Sequence, residues 1–138
     1  CARAIGSGAA LERFARIAAA QGGDPAAILE EKLPEAPDRD TLCADRSGVV
    51  ASIDTEAVGL AALALGAGRQ RKEDAIDFAV GLELQAKVGT TVAAGEPIAA
   101  LHHRGGRGLP EARTRLARAY RIADETPVAR PLIHEVIR

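Results

Sequence analysis

The sequence predicts an α+β fold: a small, strongly bent sheet or half-barrel around a buried helix, preceded by a helical N-terminal tail. Three observations point to it. Residues 55–65 are rich in Ala and Leu and nearly free of polar side chains, which suits a helix buried on most sides. After it come short apolar runs with tight glycine turns at Gly89 and Gly95, the mark of short, bent strands. Before Pro34 the apolar residues instead recur at helical spacing.

In chain order, Ser7 or Gly8 can start a helix to about Ala20, with Leu11, Phe14, Ile17 and Ala18 on one face. Gln21-Gly22-Gly23 stops it, and Asp24-Pro25 starts a shorter one with Asp as N-cap and Pro in the first helical position. Pro34 to Asp38 is a linker by composition and the expected domain boundary. Thr41–Ala44 and Gly48–Ile53 read as strands joined by a turn at Asp45-Arg46-Ser47. Asp54 caps the central helix, Glu56 suits its first turn, and Gly66 stands where a C′ glycine ends it. A charged loop, 69–74, leads to a strand over Ala79–Leu84. Pro97 opens another strand, Ile98 to His102, followed by a loose glycine and arginine loop from Arg104 to Gly108. Pro110 opens a helix to about Ala123, with Ala112, Leu116, Ala119, Tyr120 and Ala123 as its buried stripe, and Leu132–Ile137 reads as a final strand.

The chain has 138 residues, enough for one domain or one domain with an appendage. Tyr120, Phe14 and Phe78 are its aromatics, so the core is aliphatic and platforms for stacking bases are few. A formal charge of −1 provides no field to draw in DNA or an anionic membrane, so neither is an expected partner. No apolar run approaches the ~20 residues that span a bilayer, and no signal-peptide pattern opens the chain. Cys1 and Cys43 show neither metal-ligand spacing nor a disulfide framework, and a cytoplasmic protein is the simplest expectation. The chain lacks Met and opens on Cys1 in mid-pattern, so a fragment of a longer protein is expected.

The turn Gly66-Ala67-Gly68-Arg69, with Arg71 and Lys72 nearby, carries glycines and positive charge that could receive a phosphate. It lies after a helix, however, at the end that repels anions, so a structural C-cap with a solvated loop is the favoured reading. Asp74 and Asp77 read as an N-cap and a surface partner rather than a catalytic pair. His102 and His103 alternate across a strand and cannot easily share a metal. Cys43 has no His near it in sequence to activate it, so a packed thiol is expected. No P-loop, GxSxG or HExxH motif occurs.

Several blocks resemble the bacterial pyrimidine-nucleoside (thymidine) phosphorylases. They are Ser7-Gly8 with Ala10-Leu11-Glu12 and Phe14, then Ala20-Gln21-Gly22-Gly23-Asp24-Pro25, then Gly48 to Asp54 and Gly59 to Arg69. Glu73 to Gly81, Lys87-Val88-Gly89, Gly95-Glu96-Pro97, Ala119-Tyr120-Arg121-Ile122 and Pro131-Leu132-Ile133 continue the likeness in order. A His often stands in that family where this chain has Phe78. The resemblance implies phosphorolysis of a pyrimidine nucleoside by inorganic phosphate to free base and pentose 1-phosphate, without a cofactor. It implies a helical domain that binds nucleoside and forms a homodimer, and an α/β domain that binds phosphate. The residues that hold base, sugar and phosphate in that family have no counterpart here. Residues 1–36 resemble the helical end of the central phosphate-binding domain, and residues 37–138 the C-terminal hammerhead-like α+β domain. The resemblance therefore implies a part of an enzyme, inactive alone, that buttresses the phosphate-binding domain. Gly66, Gly68, Arg69 and Lys72 form its candidate cleft-facing loop.

Two other readings stand beside it. Lys87-Val88-Gly89 with Val92, Gly95 and Pro97-Ile98 also resembles the half-barrel of biotinyl and lipoyl carrier domains. Such carriers use a hairpin lysine, and no Lys follows Lys87. A stand-alone binding module is the other alternative.

Overall fold

In the computed structural model, which describes residues 1–69, 71–128, 133 and 135–137, the chain divides into two units, Cys1–Glu35 and Ala36–Arg138. The first holds α1 (Ala2–Gly6), α2 (Ala9–Ala20) and α3 (Pro25–Leu29). Local chemistry sets their ends. Gly8, at φ +80°, is the N-cap of α2, and Gly23 N–H donates to Ala18 O at 2.8 Å past its C-terminus. Asp24 accepts from Ala26 N–H at 2.9 Å, and Pro25 follows it in the first turn of α3. The expected stripe of α2 is largely open: Ala15 is buried, while Leu11, Phe14 and Ile17 are 48%, 56% and 47% exposed.

The second unit runs β1 (Asp38–Cys43), β2 (Gly48–Ile53), α4 (Thr55–Leu65), β3 (Gly81–Leu84), β4 (Thr91–Val92), β5 (Pro97–His103), α5 (Leu109–Ala119) and β6 (Tyr120–Ala123). This is the α+β class, with the sheet divided in two: β1-β5-β3 and β4-β2-β6, each three-stranded and antiparallel. Register shifts at Leu42/Cys43 and Val50/Ser52 are bulges, which bend a strand and raise its twist. In β5, Ile98, Ala99, Ala100 and Leu101 are all buried. Successive side chains on a strand point to opposite faces, so β5 is covered on both.

Asp54 caps α4, accepting from Glu56 N–H at 3.0 Å and Ala57 N–H at 3.2 Å. At the other end Gly66 takes φ +102°, with its N–H on Leu63 O and Ala67 N–H on Ala62 O. The helix buries one face, through Ala61 and Leu65, against Ala112 and Leu116 of α5 and the sheet residues Val50 and Leu101. Gly59 and Leu60 remain outside, so it is less enclosed than its composition suggests.

Four local expectations change. β1 begins at Asp38, inside the predicted linker, because Asp38 to Leu42 pair with His103 to Ala99. With Leu42 and Ala44 inward, alternation leaves Cys43 exposed rather than packed. α5 stops at Ala119: Tyr120 turns extended at φ −83°, ψ +128°, and Tyr120 to Ala123 pair with β2 instead of completing a helical stripe. Of the expected last strand, residues 133 and 135–137 have no regular structure, and Leu132 and His134 lie outside the described residues.

The helices α4 and α5 run antiparallel, with Asp54 N–H bonded to Ala119 O at 2.9 Å at one end and Gly108 against Ala64 at the other. A Cβ on Gly108 would lie 1.9 Å from Ala64 O, on a backbone at φ +65°. Gly105 has a similar φ of +58° but nothing within 4 Å of its Cβ position. Gly108→Ala is expected to lower unfolding free energy in urea by about 3 kcal/mol, combining overpacking with strain. Gly105→Ala should lose only about 1 kcal/mol. Equal losses at both positions would contradict a role for the Ala64 contact.

Candidate functional site

A polar hollow of about 390 Å³ lies where α4 ends. It is formed by the last turn of α4 with Gly66 and Gly68, by Arg71 and Asp74 of the following loop, and by Arg107 and Gly108 ahead of α5. A larger hollow of about 650 Å³ beside β2 is lined by Ala51 to Ile53, Val88-Gly89 and Thr126 to Val128, without an ionisable side chain. An anionic substrate needs charge or free donors, so the first hollow is the candidate.

Of the residues picked from sequence, Gly66 and Gly68 border this hollow. Arg69 and Lys72 are exposed and not part of its lining, while Arg71 is. Several backbone amides in and after the glycine turn are in use. Gly66 and Ala67 donate to Leu63 O and Ala62 O, Arg71 N–H to Asp74 Oδ2 at 2.8 Å, and Asp74 N–H to Arg71 O at 3.1 Å. The glycine turn is thus a helix C-cap, as favoured above, and positive charge here comes from side chains. Arg107 lies against Gly66: a Cβ there would be 3.9 Å from its Cζ and Nη1. A cation suits that position, because the last carbonyls of a helix carry its negative end.

Asp77 closes the loop. Its N–H donates to Gly66 O at 3.0 Å, its Oδ1 accepts from Ala79 N–H at 3.1 Å, and its Oδ2 accepts from Arg104 Nε at 2.8 Å. No helix follows Asp74, so it closes a turn on Arg71 N–H rather than capping a helix, while Asp77 is the partner of Arg104. The Arg104 guanidinium, then the Ala79 N–H, hold the Asp77 carboxyl below the usual aspartate range.

The 104–108 segment, read from sequence as loose, is tied down from several sides. Gly105 N–H donates to Asp38 Oδ2 at 2.7 Å and Gly106 N–H to His103 Nδ1 at 3.2 Å. An imidazole nitrogen that accepts is unprotonated, which places the ring proton of neutral His103 on Nε2. His103 is buried, with Nδ1 3.8 Å from Asp38, whereas His102 is half-buried with Nε2 3.7 Å from Glu83. Among the described residues no three His, Cys, Asp or Glu side chains group as a metal site requires. The sequence alone does not single out Arg104 or Arg107, because what orders them lies far along the chain: Arg104 and Asp77 are 27 residues apart, Gly105 and Asp38 are 67. Asp40 repeats the pattern on β1: the Thr41 N–H first, then Arg113 at 2.7 Å, hold its carboxyl low against the opposing effect of burial.

For a carboxyl depressed on folding, stabilisation is complete above its unfolded value and is lost as pH falls through the folded one. The gap in unfolding midpoint between this chain and Asp77→Asn should therefore close as pH drops below ~4. A gap that widens toward acid would contradict the pairing.

The family model of the pyrimidine nucleoside phosphorylase C-terminal domain matches residues 49–123. A thymidine phosphorylase of Burkholderia cenocepacia (strain HI2424) is 43% identical over 136 residues, covering 96% of this chain and 31% of the relative. One of Sinorhizobium fredii is 41% identical over 134 residues, covering 95% and 30%. One of Mycobacterium tuberculosis (strain H37Rv) is 39% identical over 132 residues, covering 96% and 30%. The chain spans about a third of the length of these curated relatives.

Proposed function

Since the chain belongs to the pyrimidine nucleoside phosphorylase C-terminal domain family, we propose that it serves as the C-terminal part of an enzyme that splits pyrimidine nucleosides with inorganic phosphate. The products are the free base and a pentose 1-phosphate. The observation that carries this reading is the extent of the family match. Residues 49–123 run from β2 to the end of β6 and so take in α4, the polar hollow and the tied turn. The relatives' printed name, thymidine phosphorylase, supports the reaction class.

In this reading residues 1–36 form the helical end of the phosphate-binding domain. The open face of Leu11, Phe14 and Ile17 is what a helix packed against further protein would present. Residues 37–138 form the supporting α+β domain. Base and sugar binding, homodimerisation through a helical domain and a cytoplasmic setting belong to the whole enzyme. Closure of its domains brings phosphate against the anomeric carbon, and that proximity supplies much of the rate. This chain's share is to hold its loop and the arginines beside it at the edge of the cleft.

A chimera tests it: the C-terminal third of the Burkholderia cenocepacia thymidine phosphorylase is replaced by this chain. The chimera should release thymine from thymidine in a phosphate-dependent manner, and the 138-residue chain alone should release none. A folded but inactive chimera, or thymine release by the chain alone, would overturn the proposal. The part of Arg69 and Lys72 is tested in the same chimera. Replacing both by Ala should raise KM for phosphate roughly three- to tenfold, in line with the loss of exposed charge near an anion. Unchanged kinetics would remove these two residues from the cleft.

A further inference from the structure

Arg104 reaches from the turn between β5 and α5 to Asp77, the residue that closes the candidate loop. The turn itself is fixed from outside. Gly105 is held by Asp38 of β1, Gly106 by His103 of β5, and Gly108 lies against Ala64 of α4. Asp77 binds the other way as well, through its N–H to Gly66 O at 3.0 Å. The loop thus leaves α4 at Gly66, returns to Gly66 at Asp77, and is braced at that point by a guanidinium from a rigid turn.

We infer that the Arg104–Asp77 pair is the positioning element of the candidate loop, setting where Gly66, Arg71 and Asp74 stand relative to bound phosphate. Arg104 acts through Asp77 and does not itself touch substrate. The pair lies at the surface, Arg104 57% and Asp77 29% exposed in their side chains. Exposed ion pairs contribute little to global stability, so the effect falls on local order of the loop. The kinetic part of this inference rests on the function proposed above; the structural part does not.

The test compares Arg104→Met with Arg104→Lys, which keeps the charge. In the 138-residue chain, Arg104→Met should speed hydrogen exchange at the Asp77 and Ala79 amides by at least roughly tenfold, leaving β5 amides unchanged. Arg104→Lys should recover most of the protection. In the chimera, Arg104→Met should raise KM for phosphate severalfold with kcat nearly unchanged, and Lys should again restore it. Unaltered exchange at Asp77, or a rise shared equally by β5 and α5, would overturn the inference. An inactive parental chimera would count against the function and not against the positioning, which the exchange experiment decides by itself.

Discussion

The close approach of Gly108 to Ala64 is the constraint on which the second unit depends. A backbone at φ +65° with no Cβ lets the start of α5 rest on the Ala64 carbonyl in the last turn of α4. At the far end Ala119 O accepts from Asp54 N–H, so both ends of the helix pair are pinned by backbone. Between them Ala61, Leu65, Ala112 and Leu116 fill the interface with small and medium aliphatic side chains. Helices this close need small residues where they touch, which gives the Ala-rich composition a packing reason beyond helix propensity. The same contact fixes the turn before α5, and so places Arg104 and Arg107 beside the end of α4.

The two sheets need a separate coupling, and the sole tyrosine of the chain provides it. Tyr120 opens β6 in one sheet, and its hydroxyl lies 3.0 Å from Ala86 O and 3.2 Å from Ile98 O, the latter near the start of the central strand of the other. A hydroxyl proton can serve these two carbonyls in turn, and the ring fills space that aliphatic side chains leave. Burial pushes the Tyr120 phenol up, which keeps it a donor. That requirement also explains why α5 ends where it does. Continuing the helix through Tyr120 would cost both the hydroxyl contacts and the pairing of Tyr120 to Ala123 with β2.

What could be read from sequence was set by near neighbours. Asp24 and Asp54 as caps, Gly66 as a helix stop, and the glycine turns at 89 and 95 each depend on residues a few positions away, and each lies where expected. What could not be read was set across the chain. Tyr120 has adequate helical neighbours, and only β2, some seventy residues earlier, pulls it into a strand. Asp38 looked like linker because its partner His103 is distant. Cys43 is of a residue type that usually packs inside, yet alternation from buried Leu42 turns it outward. At the candidate site the two glycines were legible as a helix stop. Arg107 and Arg104 were not, because nothing in Arg104 to Gly108 announces the bonds from Asp38, Asp77 and Ala64 that order it.

The electrostatics of the hollow bear on how such a part can serve a phosphate-using enzyme. Arg71 and Arg107 bring two positive charges and Asp74 one negative, and the carbonyl end of α4 adds roughly half a negative charge. The remainder is a slight positive excess. In open solvent that excess is largely screened over a Debye length of ~8 Å, so the hollow has little power to capture phosphate unaided. The same charges act more strongly once water is excluded, because the effective dielectric falls. A loop of this kind gains its influence from where it is held when a cleft closes over it, and the amides of Gly66, Ala67, Arg71 and Asp74, already bonded, cannot make up for misplacement. Positioning therefore matters more here than charge number, and the bracing of Asp77 by Arg104 is the feature of the fold that supplies it.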